Sequence, residues 1–168
     1  MPTLQVEDLA FAFPDLWETS KYDDWSFYRN QFARMWSGIK ALDLLAVDPD
    51  QTVWLIEVKD YRKHARTKLS DLGDEVARKV FDTLAAMLPA KLCANDSHEL
   101  QMAKAVLGAK RLRVVLHLEQ PSKHSTLRPR AINPRDVQQV LRRLLKPIDA
   151  HVFVAETTRM GTLAWKVT

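Results

Sequence analysis

The sequence predicts an α/β domain built on a central mixed β-sheet flanked by helices. Helix-like and strand-like segments alternate along the 168 residues in the order α-β-β-α-α-β-α-β-β. The run Val53, Trp54, Leu55, Ile56 and Val58 is almost continuously apolar, as in a strand covered on both faces. Hydrophobic residues make up 46% of the chain, which suits one compact core, so residues 1–168 are read as a single domain.

The elements follow in order. Residues 23–37, "DDWSFYRNQFARMWS", place Trp25, Tyr28, Phe32, Met35 and Trp36 at three- and four-residue spacing, which predicts a helix with one apolar stripe, ended by Gly38. Residues 39–47 and 52–59 read as two strands of a hairpin joined by the turn formers Asp48, Pro49 and Asp50. A polar, basic loop is expected from Asp60 to Ser70. Residues 71–89 predict the strongest helix, with Leu72, Val76, Val80, Leu84 and Leu88 every four residues, acids in its first turns and Pro89 closing it. "SHELQMAKAVLGAK" predicts a second helix, capped by Ser97 and ending near Gly108. "RLRVVLHLE" predicts a strand. "NPRDVQQVLRRLLK" predicts a helix with Asn133 as cap and Pro134 in its first position. "HVFVAE" and "LAWKVT" read as closing strands.

Composition excludes several classes. No apolar run reaches the ~20 residues of a membrane span, so no membrane partner is expected. The N-terminus lacks the basic-then-apolar pattern of a secretory signal, and single Cys93 forms no internal disulfide, so a cytoplasmic location is expected. The net charge of +4 is unevenly spread. Residues 1–24 hold six acids and one base; the rest holds 24 bases against 15 acids. A basic body of this kind favours a polyanionic partner.

The stretch "ALDLLAVDPDQTVWLIEVKD" puts charge into strands that otherwise read as core. Alternation gives Glu57 and Lys59 one face with Val53 and Leu55. With a three-residue turn, Pro49 to Gln51, Asp43 falls directly across from Glu57. With a two-residue turn it faces Ile56, and the carboxylates point to opposite sides. In the first register the two acids lie roughly 5 Å apart at Cβ and repel unless a cation sits between them. Lys59 supplies one charge. Oxygen ligands suit Mg²⁺ or Mn²⁺, held by Asp43, Glu57 and the Val58 carbonyl. Such an ion polarises a phosphodiester, with Lys59 positioned to assist.

An acid on one strand, the tripeptide "E-V-K" of Glu57 to Lys59 ending the next, a helix before and another after: this arrangement resembles the PD-(D/E)xK nuclease superfamily. The resemblance covers mainly residues 23–90. It implies a restriction-endonuclease-like core and a divalent-metal-dependent nuclease hydrolysing phosphodiesters, in DNA ahead of RNA, with Asp43, Glu57 and Lys59 catalytic. The alternative is a catalytically inactive module of the same fold, used for nucleic-acid binding or complex assembly. Leu42 stands where the family motif has proline, and the literal "PD" at Pro49–Asp50 belongs to the turn. Many family members add an acid from the first helix. The helix body here has none, so Asp23, Asp24 or Glu18 serves, or the site has two acids.

Several residues support this reading. Arg62, Lys63, Arg66 and Lys68 in the loop after Lys59 are placed to track a phosphate backbone. Glu75 and Lys79, one turn apart on the next helix, are either a site pair or a surface ion pair. His64 is a candidate general acid, His117 reads as a satisfied sheet histidine, and His98, His124 and His151 show no mutual metal spacing. "PSKHSTLRPRAINP" reads as a surface loop. DNA structure, a homodimer or a partner protein would supply the specificity that so short a chain has little room for.

Overall fold

The computed structural model describes residues 1–68, 71–127 and 130–168. Leu69 and Ser70, at the end of the expected basic loop, and Arg128 and Pro129, in the expected surface loop, lie outside the described residues.

The centre is a five-stranded mixed sheet of β3 (Glu18–Lys21), β4 (Leu44–Val47), β5 (Thr52–Asp60), β6 (Arg111–Glu119) and β7 (Phe153–Ala155), in that spatial order. The pairs β3–β4 and β4–β5 are antiparallel; β5–β6 and β6–β7 are parallel. Parallel neighbours need long crossovers. The first is supplied by α2 (Leu72–Cys93) and α3 (Ser97–Leu107), the second by α4 (Pro134–Leu144). These helices share one core with Leu45, Val47, Val53 and Leu55, so all of them cover the same sheet face. The opposite face carries Leu44, Ala46, Ile56 and Val58, and packs on a small antiparallel sheet of β1 (Thr3–Val6), β2 (Leu9–Ala12) and β8 (Lys166–Val167). The mixed sheet with packed helices is as expected from the sequence. The three strands before the first helix were not, and β8 closes the small sheet rather than the large one.

The expected helix over 23–37 is broken. A 3-10 turn over Tyr22–Asp24 leads into α1 (Ser26–Asn30), and a second 3-10 turn covers Phe32–Arg34. Trp25, Phe27 and Phe32 are buried, whereas Met35 and Trp36 stand in solvent. Gly38 does end the segment, at φ +85°, a conformation open to glycine. Pro89 lies inside α2, which runs four residues further than expected. Met87 and Ala90 are still fully buried there, and that burial outweighs the cost of a proline within the helix, about 3 kcal/mol. A strict four-residue repeat drifts about 40° per step around a helix, so the buried face follows Leu72, Val76, Val80, Thr83, Met87 and Ala90. Leu88, from the expected stripe, is exposed. Asp96, not Ser97, caps α3, while Asn133 caps α4 as expected. Among the described residues, no helix is long and apolar enough to cross a membrane.

Candidate functional site

The hairpin register follows the turn. Asp48 N–H donates to the Thr52 carbonyl at 3.1 Å, and Gln51 takes a left-handed φ of +61°, which makes Pro49 to Gln51 a three-residue loop. Leu44 then pairs with Ile56, and Asp43, one residue earlier, stands across from Glu57. The chain into Asp43 is anchored by α2: Asp82 accepts the Lys40 N–H at 2.9 Å and Thr83 accepts the Leu42 N–H at 3.0 Å. Asp43 Oδ2 in turn accepts the Val58 N–H at 2.7 Å. That bond ties the first acid to the backbone of the "E-V-K" tripeptide.

Glu57 is completely buried. Its Oε1 receives Lys79 Nζ at 2.5 Å and Lys59 Nζ at 2.9 Å; its Oε2 has no hydrogen-bond partner. Burial, and then the neighbouring Asp43, push its pKa up to about 7 against the pull of the two ammonium groups. Lys59 also meets Glu75 Oε1 at 3.1 Å. Burial opposes its charge, but Glu57 and Glu75 outweigh this and hold its pKa above the usual value. Burial raises the pKa of Glu75 too. Hydrogen bonds from Arg66, Lys59 and Lys68 overcome it and bring that carboxyl down to about 2. Glu75 and Lys79 therefore belong to one chain of alternating charge running through the site, not to a surface pair.

Of the acids offered for a first-helix role, Asp23 is the one coupled to Asp43. Burial, opposed by Lys21 and reinforced by Asp43, raises its pKa to about 6, and its Oδ1 is buried without a partner. The segment that carries it is clamped by α3: Glu99 accepts the N–H groups of Ser26 and Phe27 at 2.6 and 3.0 Å. Asp24 is engaged by Lys21 and Arg29, and Glu18 lies beside Val47 at the far end of the hairpin. Sequence reasoning missed Glu7. It occupies the β1–β2 turn at φ +51° and lines a cavity of about 390 Å³ with Lys59, Asp60, Tyr61, His64, Arg66 and Lys68. Burial, Asp60 and Asp43 raise its pKa. The alternation of Leu4, Val6, Leu9 and Phe11 around "ED" was the available hairpin signal.

Two orphaned carboxylate oxygens, Glu57 Oε2 and Asp23 Oδ1, beside Asp43 fit a hard cation in donor chemistry. Among the described residues, however, no three His, Cys, Asp or Glu side chains converge as a ready-made metal shell.

The four bases expected to follow phosphates all have carboxylate partners. Arg62 forms a two-pronged pair with Asp60, at 2.9 and 2.6 Å. Lys63 pairs with Asp8. Arg66 and Lys68 reach Glu75 at 2.9 and 3.2 Å. A cavity of about 730 Å³ is lined by Arg62, Glu119, Lys123, Arg130 and Glu156 among others, and not by Asp43, Glu57 or Lys59. His117 is a buried sheet histidine as expected, but only half satisfied: Nε2 lies 2.9 Å from Glu119 Oε1, while Nδ1 is buried with no hydrogen-bond partner.

No family model matches the chain, and no solved structure matches it significantly. Among curated proteins it is similar to a cysteine–tRNA ligase of Neisseria meningitidis serogroup A, serotype 4A, with 32% identity over 159 residues. That alignment takes in 77% of this chain and 23% of the ligase, so the chain spans less than a quarter of the relative's length.

Proposed function

We propose that this protein is a divalent-metal-dependent nuclease of the PD-(D/E)xK kind, with a restriction-endonuclease-like core, hydrolysing phosphodiesters in DNA ahead of RNA. The observation that carries the reading is the hairpin register: it sets Asp43 across from Glu57, with Lys59 on the Glu57 face. Asp43, Glu57 and the Val58 carbonyl would hold Mg²⁺ or Mn²⁺, and Asp23 is the nearest candidate for a third acid. When bound, that ion would polarise the phosphodiester and activate water. Glu57 keeps Oε2 free for it because the two lysines bind Oε1. Lys59, fixed between Glu57 and Glu75, keeps a full positive charge to place against a phosphate oxygen as negative charge grows there. Arg62, Lys63, Arg66 and Lys68 would exchange carboxylate partners for backbone phosphates.

A second reading is favoured by one observation: both lysines already saturate Glu57 Oε1, and the described residues include no three-ligand shell. It makes this a non-catalytic nucleic-acid-binding module, and the similarity to a tRNA ligase suits RNA as the ligand. Incubation with linear, circular and branched DNA, and with RNA, in Mg²⁺, Mn²⁺ or EDTA separates the two. The nuclease reading expects metal-dependent cleavage that Asp43→Ala reduces by at least about a hundredfold. Binding without cleavage, or undiminished cleavage by Asp43→Ala, overturns it.

A further inference from the structure

The outer face of α2 carries a second pattern that the site does not use. Phe81, Ala85, Leu88 and Leu92 are all exposed, and Phe81, Leu88 and Leu92 are more than half so. Their spacing of four, three and four residues is that of a coiled-coil seam, lying opposite the buried face of the same helix. The four seam side chains offer on the order of 400 Å² per protomer. With a polar rim this approaches the ~800 Å² per partner of a standard interface. An apolar patch of this extent is more than scattered surface hydrophobics.

We infer that this seam is the contact surface for a second copy of the chain, with the two α2 helices packed antiparallel across a twofold axis. The seam is self-complementary: setting Phe81 against Leu92 of the partner subunit sets Ala85 against Leu88 of the partner subunit, and the small Ala85 lets the helices approach closely. Charge selects the direction. The same spacing continued towards the N-terminus reaches Arg78 and Asp74, both exposed. A parallel pair stacks each of them on its own copy; the antiparallel pair carries both past the end of the partner's apolar seam. A twofold contact of one surface with itself closes at two copies.

Light scattering and sedimentation of the full chain between about 1 and about 100 μM test this. Wild type is expected to dimerise in a concentration-dependent way. Leu88→Glu, a surface change, is expected to weaken the dimer by on the order of 100-fold or more while keeping the wild-type circular dichroism and melting curve. Phe81→Glu provides an independent variant should Leu88→Glu fail to fold. Exposed Cys93 reports direction. The antiparallel register separates the two Cys93 residues by about 20 Å along the helices, so mild oxidation yields no crosslinked dimer. A monomer throughout the range, a dimer indifferent to both substitutions, or efficient Cys93–Cys93 crosslinking would each overturn the inference. None of these readouts depends on nuclease activity.

Discussion

Glu57 has one oxygen gripped by two ammonium groups and another with no hydrogen bond, inside a fully buried side chain. A proton and a metal ion compete for that second oxygen. With the carboxyl titrating near pH 7, the ionised form that a cation needs builds up as pH rises through neutrality. Calorimetric titration with Mn²⁺ should therefore give an affinity about tenfold or more tighter at pH 8 than at pH 6. Glu57→Gln should abolish tight binding at both. Equal wild-type affinity at the two pH values would remove Glu57 from the ligand set. Glu75 has the opposite sign. Its carboxyl is depressed from 4.5 to about 2 in the native state. Its ion pairs therefore stabilise the fold fully above about pH 4.5, and that contribution is lost as pH falls towards 2. Urea midpoints of wild type and Glu75→Gln should differ at pH 6 and converge as the pH is lowered. A constant gap across that range would mean that Glu75 acts through packing alone.

At the scale of elements, α2 positions most of the site. It holds the chain before Asp43 through Asp82 and Thr83, and gives Lys79 to Glu57 and Glu75 to Lys59. Its placement depends on Gly73. A Cβ there would stand 2.6 Å from Val140 Cγ1 on α4, so the close approach of the two helices requires glycine. Gly73→Ala should cost about 1–3 kcal/mol through overpacking, despite alanine's better helix propensity. Gly73→Ala combined with Val140→Ala should recover part of that loss; chemical denaturation of the four-member cycle measures the coupling. No recovery would show that the strain lies elsewhere. The sequence made α2, α3, β6 and α4 legible because their patterns are local: caps, acids in first turns and apolar spacing. It misplaced the end of α2 because burial of Met87 and Ala90 is tertiary. It read one helix over 23–37 because aromatic spacing there mimics a stripe, while the backbone bends around Gln31, at φ −124° and ψ −70°.

For the whole molecule, charge and topology act together. Register arithmetic left two alternatives for Asp43, and the three-residue turn selects the one that sets it across from Glu57, on the face shared with Lys59. Asp23 was among the acids the sequence offered, whereas Glu7 was harder to see, because only the folded chain brings the N-terminal hairpin to the Lys59 end of β5. That hairpin is held by β8, with reciprocal bonds between Ala10 and Thr168 at 2.8 and 3.1 Å. The acidic β1–β2 turn, Glu7 and Asp8, is thereby laid against the basic loop, where Asp8 neutralises Lys63. The fold thus screens part of the positive field that composition alone suggests. Both partners of this pair are more than half exposed, so the pair adds little stability, and Asp8→Asn should leave melting unchanged. It should instead free one cation for the polyanion. In a plot of log affinity for duplex DNA against log salt, Asp8→Asn should steepen the slope by about 0.9, one additional phosphate contact. Lys63→Ala in the Asp8→Asn background should remove that gain. If fluorescence anisotropy gives parallel salt plots for wild type and Asp8→Asn, Lys63 is off the nucleic-acid path, and the loop after Lys59 contacts the backbone through its other bases or not at all.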